Sequence, residues 1–250
     1  MKLGIVGFGK MGQLVKYFAE QKQIEVCAII DPYADGVTHK KVDHDSLKNV
    51  DVVIEFALAD VFLKNLNYYI SNQVNAVIAT TGWYEQLETI KQKVENSQIG
   101  LIWSGNFSIG VNLFFKILSQ TAQLMNSFSE YDVFGYELHH NRKKDSPSGT
   151  MKMMGDILLD KLGRKDSITT QRLDRQIEGN EIHLASVRGG GVPGTHAITF
   201  DSEVDSIELK HQARSRQGFA TGSLKAAEWI CGKKGFFHIN DMMQEIIGGN

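Results

Sequence analysis

Near the head of the chain, Gly7, Phe8, Gly9, Lys10, Met11 and Gly12 spell G-x-G-x-x-G, directly after an apolar run at 2–6 and at the opening of a helically spaced run at 12–22. Few short patterns constrain a backbone as tightly. The first glycine permits a sharp turn out of a strand, the second lets a pyrophosphate approach the main chain, and the third lets helix settle on strand. The helix start then presents unpaired N–H groups to phosphate. With 24 glycines in the chain the motif alone carries little, but Asp31 closes the next apolar run, 26–30, where a carboxylate meets the ribose 2′-hydroxyl of a dinucleotide. Pro32, not arginine, follows it, and a negative charge there repels a 2′-phosphate, which favours NADH over NADPH. Lys40 and Lys41 read as solvated loop lysines, with a 2′-phosphate as their alternative partner.

The alternation continues. Apolar runs at 52–57, 76–79 and 99–103 enclose helical stretches at 61–70 and 84–95, which predicts a parallel sheet with helices on both faces. Two loops follow strand ends: Ala79, Thr80, Thr81 and Gly82, and Ser104, Gly105, Asn106 and Phe107. Ligands of open α/β sheets bind beyond the carboxyl ends of the strands, so both loops are placed to line a cofactor. After residue 107 the texture changes. Helices are expected at 111–125 and 150–162, and strands at 131–138, 181–187, 196–200 and 206–212, the last three with no helix between them. That order predicts an α+β domain with an antiparallel or mixed sheet, and a final helix at 219–231 needs an apolar surface to cover its inner face. The fold class is α/β, an N-terminal Rossmann-like domain with a parallel sheet plus an α+β domain with a mixed sheet.

Composition narrows the partners. A formal net charge of −2 gives no global attraction to nucleic acid or membrane. Cys27 and Cys231 stand far apart outside any C-x-x-C pair, which predicts two buried free thiols rather than a disulfide or a zinc site. Glycines interrupt the first apolar residues, unlike a signal peptide, and no apolar run reaches the ~20 residues that span a bilayer, so a cytoplasmic protein is expected.

The chemistry is expected in the loop from Glu137 to Thr150. His139, His140, Arg142, Lys143 and Lys144 place five potential cations within six positions, a local pocket for an anion. Ser148, Gly149 and Thr150 open a helix whose free amides and dipole hold a carboxylate or phosphate, and Ser148 and Thr150 are also good capping residues. Histidine titrates near neutrality and a lysine among cations loses its proton more readily, so either can donate a proton while a cofactor delivers hydride. Adjacent histidines suit a metal too, but no carboxylate or cysteine pattern accompanies them, and no metal is expected.

The run E-L-H-H-N-R-K-K-D-S-P-S-G-T resembles the signature E-x-H-H-x-x-K-x-D-A-P-S-G-T of the dihydrodipicolinate reductases, and the likeness extends over nearly the whole chain. It takes in the K-M-G of the first loop, A-T-T-G at 79–82, S-G-N-F-S-I-G-V-N at 104–112, R-G-G-x(3)-G-x-H at 188–196 and F-A-T-G-S-L-K-A-A in the last helix. The resemblance implies reduction of 4-hydroxy-tetrahydrodipicolinate to tetrahydrodipicolinate, with loss of water, by NADH or NADPH in lysine and diaminopimelate biosynthesis. It implies His139 as proton donor or acceptor and Lys143 as general acid. His140, Gly149, Thr150 and Thr81 are implied at the dicarboxylate substrate. The residues Gly7 to Gly12, Asp31, Ala79, Thr80, Thr81, Ser104, Gly105, Asn106 and Phe107 are implied at the cofactor. It further implies a dinucleotide domain, 1–107, completed by 218–250, and a substrate-binding and oligomerisation domain, 108–217, through whose sheet members join as homotetramers.

The sequence also departs from the signature. Its glycine loop is one residue shorter than the commoner form, with Lys10 for arginine, and Ala79 replaces glycine. Ser146, Met151 and Thr195 replace the alanines and the glutamate usual at their positions. Two other readings compete. One is a Rossmann dehydrogenase of another small acid, which should lack the H-H-x-x-K and S-G-T loop. The other is a non-catalytic NAD(H)-sensing protein, which has no use for a proton donor.

Overall fold

The computed structural model describes residues 1–248, so the last two positions of the expected 218–250 segment lie outside the described residues. The chain forms two compact units, one of Met1–Asn112 with the segment from Gln217 onward, the other Leu113–Arg216.

In the first unit, β1 (Lys2–Val6), β2 (Glu25–Ile30), β3 (Val52–Glu55), β4 (Asn75–Ile78), β5 (Gly100–Trp103) and β11 (Gly235–His238) make one sheet in the order β11-β5-β4-β3-β1-β2. Every pairing is parallel. The strands are buried on both faces and so read as continuous apolar runs. Leu3, Ile5, Val52, Ile54 and Ile102 pack with α1 (Lys10–Gln21), α6 (Gln217–Ile230) and α7 (Ile239–Gly248). Val53, Ala76, Ile78 and Leu101 face the other way, toward α2 (Ala59–Ser71) and α3 (Leu87–Glu95). The chain leaves β1 for β2 on one side and reaches β3 on the other, so a crevice opens at the carboxyl end of β1.

The second unit contains most of α4 (Ile109–Met125), then β6 (Asp132–His139), α5 (Gly149–Lys161), β7 (Ser167–Thr169), β8 (Glu181–Arg188), β9 (Thr195–Asp201) and β10 (Ser206–Gln212). Its sheet runs β10-β9-β6-β8-β7 and is mixed: β9 is antiparallel to both neighbours, while β6, β8 and β7 are parallel. Period-two alternation turns Val133, Gly135, Glu137 and His139 to one face. On that face Gly155 of α5 packs beside Ile168 and Leu184, and Phe114 of α4 lies 5.9 Å from His211.

Three elements go beyond the sequence reading. β7 has only three residues, and β11 and α7 follow the last helix that the spacing predicts. β11 is four residues long and its role as sixth strand comes from pairing with β5, a partner 135 positions earlier by the match of Gly235 with Gly100. Both cysteines are free, and they are half-buried rather than buried. Among the described residues no helix is long and apolar enough to cross a membrane.

Candidate active site

In the first unit the glycine loop turns at Gly7, whose φ of +86° lies in the region that favours glycine, beside the Phe56–Ala57 backbone after β3. A side chain at Gly12 would run into the Gly7 carbonyl, so α1 sits as close to β1 as a backbone allows. Gly9 has open space where a Cβ would stand, and it caps α1 with no side-chain hydrogen bond, which leaves the first-turn amides available to an anion. These features fit a dinucleotide pyrophosphate. Lys10 is exposed, Met11 half-buried, and the Phe8 side chain belongs to the core.

Asp31 binds this loop to the one after β2. Its Oδ2 accepts from the Phe8 amide at 2.8 Å, and its Oδ1 accepts from Tyr33 and Ala34 at 2.8 and 2.9 Å. Burial pushes the carboxyl up, but these three amides, helped by Lys40, outweigh it and hold the pKa below the usual range. Lys40 folds back to donate to the Ala34 carbonyl at 3.0 Å, whereas Lys41 is exposed near Asp43.

The two further loops are unequal in what they leave free. Thr80 is buried, with its hydroxyl on the Ala57 carbonyl at 3.0 Å and its own carbonyl receiving Trp83 Nε1 at 2.8 Å. Thr81 is exposed, and the Ala79 amide is taken by the Glu55 carbonyl at 3.0 Å. Ser104 and Asn106 lock one another: the Asn106 amide donates to Ser104 Oγ, and that hydroxyl donates to the Asn106 carbonyl, each at 3.0 Å. Gly105 is exposed, while the Phe107 ring lies in the core and leaves only its main chain for a ligand. Behind these loops Glu55 is fully buried, and burial pushes its carboxyl up to about 7 against the opposing hydrogen bonds from Tyr69 and Asn65.

In the second unit strand register assembles a constellation from distant stretches. Glu137 of β6 lies opposite Ser186 of β8 on one side and His196 of β9 on the other, and His139 lies opposite Arg188. Glu137 is wholly buried, so its charge must be answered locally. Oε1 accepts from Ser186 Oγ and Arg188 at 2.8 Å and from the Ser148 amide at 2.9 Å. Oε2 accepts from the Ser148 hydroxyl and lies 3.4 Å from both His139 Nδ1 and His196 Nε2. Burial raises the Glu137 pKa, but the donors His196, Ser148 and Arg188 dominate and hold it well below the ordinary carboxylate range.

His139 is buried, and its ring meets that of His196 edge-on at 5.1 Å. Desolvation lowers its pKa to about 4, with His196, Lys143 and Arg188 adding to the fall against Glu137. Of the five cations read from the sequence, this one is therefore neutral at pH 7. Arg188, from outside the loop, supplies the charge instead, joining Glu137 to the Asp145 carbonyl at 2.7 Å. The loop is also zipped to the 189–192 segment: the amides of His140 and Asn141 donate to the Val192 and Gly190 carbonyls at 2.8 and 3.2 Å. Lys143 reaches both Asp145 oxygens at 2.8 Å.

Ser148 is the N-cap of α5 and accepts the Met151 amide at 3.1 Å. The amides of Gly149 and Thr150 then have no intrahelical acceptor, and open space surrounds the position of a Gly149 Cβ. A carboxylate fits there.

His139, though not its neighbour His140, has a carboxylate companion: ligand atoms of Glu137, His139 and His196 lie within 4.8 Å of one another, a spacing that suits a metal ion. The Arg188 guanidinium already compensates that carboxylate, so a divalent ion would add positive charge to a balanced site. Sequence reading assigned no role to Glu137, Arg188 or His196. The signals were E-x-H, which puts Glu137 and His139 on one strand face, and R-G-G-x(3)-G-x-H, but their meeting depends on register.

Comparison with known proteins gives one answer along the chain. Family models described as "Dihydrodipicolinate reductase, N-terminus" and "Dihydrodipicolinate reductase, C-terminus" match residues 1–107 and 110–243. The chain is 31% identical over 246 residues to a 4-hydroxy-tetrahydrodipicolinate reductase of Christiangramia forsetii, covering 98% of this chain and 99% of that one. It is 32% identical over 246 residues to the enzyme of the same name from Methanoregula boonei, covering 94% of each. Dipicolinate-bound dihydrodipicolinate reductase from Paenisporosarcina sp. TG-14 shares the fold with a TM-score of 0.78 at 24% identity, over 95% of this chain and 97% of that one.

Proposed function

The chain belongs to the dihydrodipicolinate reductase family, and we propose on that premise that it is an NAD(P)H-dependent oxidoreductase reducing 4-hydroxy-tetrahydrodipicolinate to tetrahydrodipicolinate and water in lysine and diaminopimelate biosynthesis. The observation that carries the reading is the second unit's pairing of an open helix start at Gly149 and Thr150 with a neutral buried imidazole, His139, and the Lys143 ammonium. A dicarboxylate needs the first, and a reduction that expels water consumes a proton.

When bound, the dinucleotide supplies the hydride, and the first unit's residues hold and orient it. The α1 amides and Gly9 receive the pyrophosphate, Asp31 the adenosine ribose, and the exposed Thr81 and Gly105 stand after strand ends toward the nicotinamide. In the second unit the Gly149 and Thr150 amides take one substrate carboxylate, with His140 beside them. Lys143 Nζ gives up the proton, leaving its pair with Asp145 to do so. His139, neutral before substrate arrives, accepts a hydrogen bond or a proton rather than donating one as imidazolium.

The finer points follow the same logic. NADH is the preferred cofactor, because a carboxylate at the end of β2, where the fold receives the adenosine ribose, repels a 2′-phosphate, although Lys40 beside Asp31 softens that repulsion. The working assembly is a homotetramer. Phe134 and Val187, 43% and 52% exposed on the sheet face opposite Glu137, offer it apolar contact. The chain divides its labour between a dinucleotide domain, 1–107 with 218–250, and a substrate and assembly domain, 108–217, and it works in the cytoplasm.

The test is an assay following oxidation of NADH and of NADPH with enzymatically generated substrate. Turnover with both cofactors, faster with NADH, is expected. Tight NADH binding without turnover would favour a sensor, and turnover of a different small acid would favour another dehydrogenase.

A further inference from the structure

Glu137 lies at the centre of the second unit's site yet has no part in the chemistry just described. We propose that Glu137 is a positioning residue which couples the proton loop to the carboxylate cradle, fixing the His139 tautomer with one oxygen and the start of α5 with both. The inference rests on the reaction assigned above.

Two branches leave the one carboxylate. The first runs to the cradle. Glu137 takes the Ser148 amide on Oε1 at 2.9 Å and the Ser148 hydroxyl on Oε2. Ser148 in turn caps Met151, so the strand carboxylate sets where the Gly149 and Thr150 amides stand. The second runs to the imidazoles. Oε2 lies 3.4 Å from His139 Nδ1, a buried nitrogen with no hydrogen-bond partner. A carboxylate there favours the tautomer with its proton on Nδ1, leaving the Nε2 lone pair free to accept. His196 Nε2 lies 3.4 Å from the same oxygen and 3.2 Å from Ser148 Oγ, which closes the two branches into one network. Arg188 anchors both, holding Glu137 at 2.8 Å and the Asp145 carbonyl beside Lys143 at 2.7 Å. An exposed acid cannot do this work, because water would compete for each donor; a fully buried one selects among them.

Glutamine at this position keeps the shape, removes the charge and offers a donor where an acceptor stood. Ser148→Ala removes the hydroxyl half of the cradle branch and its contact with His196, while the Ser148 amide stays on Glu137 and Glu137 stays beside His139 Nδ1. In steady-state kinetics Glu137→Gln should lower kcat by ~100-fold and raise the substrate KM by ~10-fold, with NADH affinity unchanged. Ser148→Ala should raise KM by ~10-fold with kcat within ~3-fold of wild type. A purely structural role would lower kcat and raise KM to a similar extent in both variants, and that result overturns the proposal, as does wild-type kinetics in either variant.

Imidazole nitrogen shifts, measured by NMR, read the second branch without turnover. Wild-type protein and Ser148→Ala should carry the His139 proton on Nδ1, and Glu137→Gln should lose that preference. A wild-type protein protonated on Nε2 overturns the inference even if Glu137→Gln fails to fold. If wild-type protein fails to reduce the substrate, the assigned reaction falls, while the tautomer and the binding of dipicolinate to Ser148→Ala still decide the role of Glu137.

Discussion

The two units build anion sites by opposite means. In the first, one continuous loop of six residues presents backbone amides, and its geometry follows from glycines at fixed spacing. In the second, an equally open helix start is held by a carboxylate on the preceding strand, whose partners come from β6, β8, β9 and the α5 cap. A local motif sets its own shape, whereas a site made by register inherits its shape from the sheet. The first should therefore fail by steric change at a glycine, and the second by loss of charge or of a proton.

The sharpest separation comes from the proton loop. Lys143→Ala or His139→Gln should lower kcat by about 10²–10⁴-fold and leave NADH affinity as it was, measured by stopped-time assays and by fluorescence titration. A collapse of NADH affinity would erase the contrast between the units.

How much of this was legible follows from the same difference. The glycine loop, the alternating strands and helices up to Trp103 and the long α4 each declare themselves through spacing within a dozen residues. The E-L-H-H run likewise displays His139 and Lys143 in one stretch. Glu137 stood in that stretch as well, but nothing local says that Arg188 and His196 will arrive beside it, or that burial will leave His139 neutral. Four-residue β11 and three-residue β7 have the same cause, since each becomes a strand only through a distant partner.

Gly12→Ala attacks the other side of the comparison. The added methyl meets the Gly7 carbonyl, which is main chain and cannot rotate away. Overpacking of this kind costs about 1–3 kcal/mol, so NADH affinity should fall by ~10-fold or more in a calorimetric titration while dipicolinate binding persists. Asp31→Asn is gentler. It removes the charge and keeps one acceptor oxygen, enough for the Tyr33 and Ala34 amides but not for that of Phe8 as well, and with Lys40 adjacent the NADPH to NADH ratio of kcat/KM should rise by ~10-fold.

The pH responses are smaller and opposite in sign. For His139, depressed from 6.5 to about 4, the unfolded chain binds the proton first, so its contribution to stability is present above pH 6.5 and lost as pH falls toward 4. The acid limb it imposes on kcat/KM should lie near pH 4. For Glu55, raised from 4.5 to about 7, the folded chain holds the proton longer, so its contribution is present below pH 4.5 and lost as pH rises through 7. Glu55→Gln should raise Tm by a few degrees (about 2–4 °C) at pH 8 and change little at pH 4.5, as read by thermal unfolding.

The most direct measurement is a crystal structure of the protein soaked with dipicolinate and NADH. The account expects one ring carboxylate within about 3 Å of the Gly149 and Thr150 amides, with Lys143 turned from Asp145 toward the ring. Dipicolinate bound away from the start of α5, with those amides facing only water, would contradict it.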